Sequence, residues 1–194
     1  MDKRLNVLVL DDAEDDFILI TRRLRDACLD AHYQCVANLE DLKAAVAKGD
    51  WDVILADYRV PALDFTDTLA FHEAHQPDVP LILVSGNIGE ASAVELLKHG
   101  VWDFVLKDNL TRLAPVIRNC VRDATNRRAR HKAEATLRDN EQRYRMLFEH
   151  ARDGMALAEA ATGILLDCNQ ALCRLVEREK SELIGRHQGH RADG

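Results

Sequence analysis

VILADYRVP, residues Val53 to Pro61, is the stretch from which the rest of the chain can be read. Four consecutive apolar residues, Val53-Ile54-Leu55-Ala56, have the character of a strand buried on both faces. Asp57 then puts a carboxylate where that strand ends, and Pro61 closes the following turn. Taken alone, an Asp after a strand is a cap or a loop residue more often than a reactive group. A chemical role needs partners, and the neighbouring segments supply candidates.

Short β-rich runs recur at Leu5–Leu10, Tyr33–Ala37, Asp52–Ala56, Pro80–Ser85 and Trp102–Leu106. Helical stretches are expected between them, at Glu14–Cys28, Leu39–Ala47, Thr66–Ala74 and Glu90–Lys98. In the first, Phe17, Ile18, Ile20, Leu24 and Cys28 recur at roughly helical spacing. Alternation of this kind predicts a parallel sheet covered by helices on both faces. Gly100 is placed to end the fourth helix. A fifth should begin near Leu110, with Asp108-Asn109 as its N-cap and Leu113, Ile117, Cys120 and Ala124 as its apolar stripe.

Bulk composition bounds the rest. The 194 residues suffice for one domain and part of a second. An apolar fraction of 47% with 30% charged residues fits a soluble globular protein, and a net charge of -7 does not suggest a nucleic-acid binder. No apolar run is long enough to span a bilayer, and the six residues Leu5–Leu10 are too short for a signal peptide. The five cysteines show no CxxC spacing and read as free thiols of a cytosolic protein.

After Ala124 the composition shifts to TNRRARHKAEATLRDNEQRYR. No Pro or Gly occurs from Val116 to Ala151, so the fifth helix should continue as a linker. Its stripe fades at Arg127 and His131 and resumes one register away at Ala133, Leu137, Tyr144 and Leu147, a weak coiled-coil seam. Arg118 to Arg145 holds nine Lys/Arg against four Asp/Glu. Because those charges are interleaved and lack an aromatic platform, they read as a solvated face rather than a nucleic-acid surface. Beyond Phe148, DGMALAEAATGILLDCN predicts two short strands around a Gly-containing turn, and NQALCRLVERE a helix capped by Asn169. The implied division is 1–124, a helical linker over 125–142, and a small segment over 143–194.

In open parallel sheets, function gathers at the carboxyl ends of the strands. There the sequence places Asp11-Asp12 after the first strand, Asp57 after the third, Ser85-Gly86 after the fourth and Lys107 after the fifth. Singly, these are a cap, a loop residue, a turn and a surface charge. Together they make a hard-oxygen set suited to Mg²⁺, a lysine able to hold a phosphate, a hydroxyl donor and an Asp able to act as nucleophile toward phosphorus.

Residues 5 to about 124 resemble the response regulator receiver domain of two-component signalling, on the pieces LNVLVLDD, DVILADYRVP, PLILVSG and DFVLKD. The resemblance implies a flavodoxin-like (βα)5 doubly wound sheet of order 2-1-3-4-5. It implies that Asp57 accepts a phosphoryl group from a histidine kinase or a histidine phosphotransfer protein. It also implies that Mg²⁺ is held by Asp11, Asp12, Asp57 and the Arg59 backbone carbonyl, Asp12 being a direct ligand. Lys107 and Ser85 assist, and Ser85 with Phe104 forms the switch. Two departures stand out. Asp108 replaces the proline that usually follows the lysine, which would leave a trans bond and altered loop mobility, and Phe104 lacks the hydroxyl of the frequent tyrosine.

Residues of about 141 to 185 resemble the first half of a PAS sensor domain, an α+β fold. The resemblance covers only part of that fold, so its core cannot close by itself, and the segment should be poorly ordered or depend on a partner chain. No haem or flavin is implied, and Cys168 and Cys173 read as core or surface residues. The expected protein is a cytoplasmic phosphoacceptor module, regulatory rather than enzymatic, passing its signal through the fifth helix and the linker to the PAS region as a homodimer. A constitutive scaffold is the alternative. An Asp-nucleophile phosphatase fits less well, because Arg59 stands where its second acid would be.

Overall fold

The computed structural model describes residues 4–86 and 100–187. It forms two compact units, Met1–Arg130 and His131–Gly194. In the first, five parallel strands are arranged in the order β2-β1-β3-β4-β5. They are β1 (Leu5–Leu10), β2 (Ala31–Val36), β3 (Val53–Ala56), β4 (Leu81–Ser85) and β5 (Asp103–Leu106). Helices α1 (Glu14–Asp26), α2 (Leu39–Lys48) and α3 (Phe65–His75) lie between them. The helix expected over Glu90–Lys98 falls outside the described residues. Gly100, which was to end it, has φ +102, a left-handed conformation that favours glycine.

The pleat sorts the central strands into two cores. Val7, Val9, Val53, Leu55, Ile82, Val84 and Val105 face one side, with Ile20 and Leu24 of α1. Leu8, Leu10, Ile54, Ala56, Leu81 and Leu83 face the other, with Leu42 and Ala45 of α2. Burial on both faces explains why β3 and β4 are continuously apolar rather than alternating. On the second side, His72 of α3 is buried, and its Nε2 lies 2.7 Å from the carbonyl oxygen of Val79.

One expectation needs correction at the end of β5. The chain does not enter an α-helix capped by Asp108-Asn109. Residues Lys107–Arg112 form a 3-10 turn in which Asn109 is non-helical, at φ -129 and ψ 52, and it accepts the Thr111 hydroxyl instead of capping a helix. The α-helix α4 starts only at Leu113 and runs unbroken to Glu149. Pro115 sits in its first turn, where a missing N–H costs nothing. Leu113, Ile117, Cys120 and Ala124 are buried as expected, and Arg118 donates to the carbonyl oxygen of Ala27. No cis peptide occurs among the described residues.

In the second unit, β6 (Ala156–Ala158) pairs antiparallel with β7 (Leu165–Cys168) across a turn in which Gly163 has φ +68. Helices α5 (Gln170–Val176) and α6 (Lys180–Leu183) follow. Asn169 organises this unit. It is fully buried, and its amide makes four bonds, to Phe148 O, Asp153 O, Met155 N and Leu172 N, the last being the predicted N-cap. Met155, Leu157, Leu166, Leu175, Val176 and Ile184 remain exposed, so the unit has regular elements but a thin core. On α4, the seam residues Leu137, Tyr144 and Leu147 are likewise exposed.

Candidate functional site

Strand register brings the predicted residues together. Leu10 pairs with Ala56, and Asp57 N donates to the carbonyl oxygen of Leu10 at 2.8 Å, so Asp11 and Asp57 leave the sheet side by side. Ser85 pairs with Leu106, which puts Lys107 at the same rim. Side-chain parity then separates the set. Asp11, Asp57 and Lys107 continue the Val9, Leu55 and Val105 series toward α1. Phe104 belongs to the opposite series, half-buried against the second core, and Ser85 is buried at the end of β4.

Lys107 is the hub. Its Nζ donates to Asp16 Oδ2 at 2.6 Å, to Asp57 Oδ2 at 2.8 Å and to Asp11 Oδ2 at 3.0 Å. An ammonium has three N–H donors, so each carboxylate takes one. Burial works against the lysine charge, but the Asp16, Asp57 and Asp11 carboxylates outweigh it and hold the ammonium above the ordinary lysine range. Asp11 feels the opposite balance. Burial raises its carboxyl, and the Asp57 charge adds to that, although the Ala13 N–H and Lys107 favour the ionised form. The two directions agree on one point: a single ammonium divided among three carboxylates leaves the site short of positive charge.

Asp16 is the residue that sequence reasoning missed. It lies in the first turn of α1 with Glu14 and Asp15, where acids are expected simply because they complement the helix dipole. One carboxylate oxygen each from Asp11, Asp16 and Asp57 lies within 4.8 Å of the others. Asp12, expected as a direct ligand, is exposed and is not one of those three. Arg59 is exposed two residues past Asp57, and Ser85 is buried at the end of β4. The donor set is hard, anionic and incompletely neutralised, which fits a divalent oxygen-seeking cation.

Comparison with known proteins identifies the family of the fold. Residues 7–118 match the response regulator receiver domain family, and residues 142–192 match a PAS domain family. The regulatory protein LuxO of Vibrio cholerae is 30% identical over 98 residues, covering 50% of this chain and 22% of that protein. Among solved structures, the beryllofluoride-activated NtrC4 receiver domain dimer superposes with a TM-score of 0.55, at 22% identity over 61% of this chain and 98% of that one. The receiver domain of the sensor histidine kinase PA1611 from Pseudomonas aeruginosa, which has a magnesium ion in its active-site cleft, gives 0.53 at 20% identity over 61% of this chain and 98% of its own. No helix among the described residues is long and apolar enough to cross a membrane. With a family match over more than half its length and the β2-β1-β3-β4-β5 sheet to go with it, the chain belongs to the response regulator receiver family of two-component signalling, followed by a PAS-type segment.

Proposed function

We propose that Asp57 accepts a phosphoryl group from a histidine kinase or a histidine phosphotransfer protein, and that the chain relays this event as a regulatory module of a cytoplasmic phosphorelay. The observation that carries the reading is the Lys107–Asp57 contact of 2.8 Å at the common rim of β3 and β5, with Asp11 beside it. A carboxylate oxygen of Asp57 attacks phosphorus, and the bond to the donor's imidazole nitrogen breaks. Lys107 follows the negative charge onto the phosphoryl oxygens. Mg²⁺ would be held by Asp11, Asp12, Asp57 and the Arg59 carbonyl, and when bound it neutralises charge on the transferring group.

Phe104 packs half-buried against the second core, and Ser85 is buried at the end of β4. Their role is to report the phosphoryl group to the outer surface, the Ser85 hydroxyl moving toward it and Phe104 repacking. Because α4 is continuous from Leu113 to Glu149, a change at its receiver end is carried along the 125–142 linker to the PAS-type region. Pairing of two chains through the exposed Leu137, Tyr144 and Leu147 seam would receive it. Incubating the protein with acetyl phosphate and Mg²⁺ tests the reading by intact mass. The mass should rise by one phosphoryl group, and Asp57→Asn should abolish the gain. No gain in the parent protein, from either acetyl phosphate or a histidine kinase panel, sinks it.

A further inference from the structure

The shortest contact to Lys107 comes from neither Asp57 nor Asp11. It comes from Asp16, at 2.6 Å. Asp16 stands apart from the other two acids in three ways. It is carried by α1 rather than by a strand end. Its side chain keeps 34% of its surface exposed, against 2% for Asp11 and 13% for Asp57. The family resemblance also gives it no role, although one of its carboxylate oxygens lies within 4.8 Å of oxygens of Asp11 and Asp57.

Lys107 needs such a partner. Two of its three carboxylates have other tasks once the site is used: Asp57 becomes the phosphorylated group and Asp11 faces the cation. A lysine whose only anchors are those two would lose both together, and its flexible four-carbon stem would let the ammonium turn outward from the 3-10 segment that begins at Lys107. Asp16 takes no part in the bond-making and sits on a helix packed to the sheet through Ile20 and Leu24. We propose that Asp16 is a positioning residue for phosphoryl transfer, a tether that holds the Lys107 ammonium over the rim so that one N–H remains aimed at Asp57 while the other carboxylates are engaged. The inference rests on the reading of Asp57 as phosphoacceptor.

In the step concerned, the Asp57 carboxylate attacks the phosphorus of acetyl phosphate, and the bridging P–O bond breaks with its electron pair leaving on acetate. Lys107 neither gains nor loses a proton. It moves one hydrogen bond from the Asp57 oxygen to a phosphoryl oxygen, and the Asp16 contact limits how far the ammonium has to travel. Asp16 therefore acts on rate and not on the capture of the cation.

Asp16→Asn, Asp16→Ala and Asp16→Glu in the full chain test this. Phosphorylation by acetyl phosphate is followed against Mg²⁺ concentration, and folding is checked by the fluorescence of Trp51 and Trp102. The saturating rate should fall about five- to tenfold in Asp16→Ala, less in Asp16→Asn, and recover by more than half in Asp16→Glu, with the Mg²⁺ half-saturation within twofold of the parent. A second readout needs neither metal nor phosphate. Limited acylation of lysines with acetic anhydride, mapped by mass spectrometry, should label Lys107 several-fold faster in Asp16→Ala and leave the other lysines unchanged. Three results overturn the inference: an unchanged saturating rate; a loss confined to the Mg²⁺ half-saturation, which would make Asp16 a cation ligand; or unchanged Lys107 labelling. If the parent chain takes up no phosphoryl group, the Asp57 reading fails as well, and the labelling result alone then judges whether Asp16 holds Lys107.

Discussion

Replacing Lys107 by methionine, which keeps the bulk and removes the charge, should invert the electrostatics of the site. At an effective dielectric of about 20, a unit-charge contact such as Lys107–Asp57 at 2.8 Å is a gross attraction of about 6 kcal/mol. Two carboxylate oxygens no more than 4.8 Å apart repel by at least about 3.5 kcal/mol on the same scale. With the lysine present, attraction exceeds repulsion. Without it, three acidic pairs repel with nothing to offset them, a total comparable to the stability of a whole domain, ~5–15 kcal/mol. The variant should avoid that cost by retaining a proton on Asp11, whose carboxyl burial already raises. Removing one partner of a buried pair costs ~3–5 kcal/mol, and the partial exposure of Asp16 reduces the expected loss here to about 2–3 kcal/mol at pH 7.5. A carboxyl raised in the folded state contributes stability below its unfolded value that is lost as pH rises. The deficit of Lys107→Met should therefore be smallest near pH 4.5 and grow by up to about 1.4 kcal/mol per pH unit until the retained proton leaves. Both tryptophans, Trp51 and Trp102, belong to the receiver unit, so urea titrations followed by their fluorescence report it alone. Millimolar Mg²⁺ should raise the midpoint of the variant more than that of the parent. Parallel pH profiles for the two proteins, or equal stability at pH 8, would refute the charge-sharing argument.

His72 has its pKa lowered by burial, so its stabilising contribution is present above about pH 6.5 and is lost as pH falls below it, at up to about 1.4 kcal/mol per unit. Urea midpoints at pH 7.5 and 5.5 should show the drop, and His72→Asn should flatten it. Ile117→Ala removes a fully buried side chain beneath the sheet and should cost about 2–5 kcal/mol by the same fluorescence assay. Asn169→Ala strips four hydrogen bonds from one buried amide. Hydrogen exchange should then accelerate in peptides spanning 153–176 and stay unchanged in β1 and β3.

The receiver sheet was legible because burial on both faces writes continuous apolar runs. LNVLVL was placed to the residue, and VILA within one. The approach of Asp11, Asp57 and Lys107 was legible for the same reason, since strand order alone brings strand ends together. Two features were hidden, each by a stronger local explanation. Asp16 looks like ordinary dipole compensation in EDD, and only the third dimension shows it turned back over the rim. Asp108-Asn109 has the chemistry of a cap, yet the tight 3-10 geometry after Lys107 spends those residues before the α-helix begins. Asn169 was read as a cap and proved to be more. A cap uses one oxygen, and nothing in the sequence signals that its Nδ2 also binds Phe148 and Asp153.

The central claim is that one particular carboxylate takes the phosphoryl group. After reaction with acetyl phosphate and Mg²⁺, the acyl phosphate can be trapped with hydroxylamine as a hydroxamate and the protein digested with trypsin. Cleavage after Lys48 and Arg59 isolates GDWDVILADYR, in which Asp50, Asp52 and Asp57 are the acids. The account predicts the hydroxamate on Asp57 alone. Its appearance on Asp11, Asp12 or Asp16 instead, or on no residue of a protein that has gained a phosphoryl group, would contradict it.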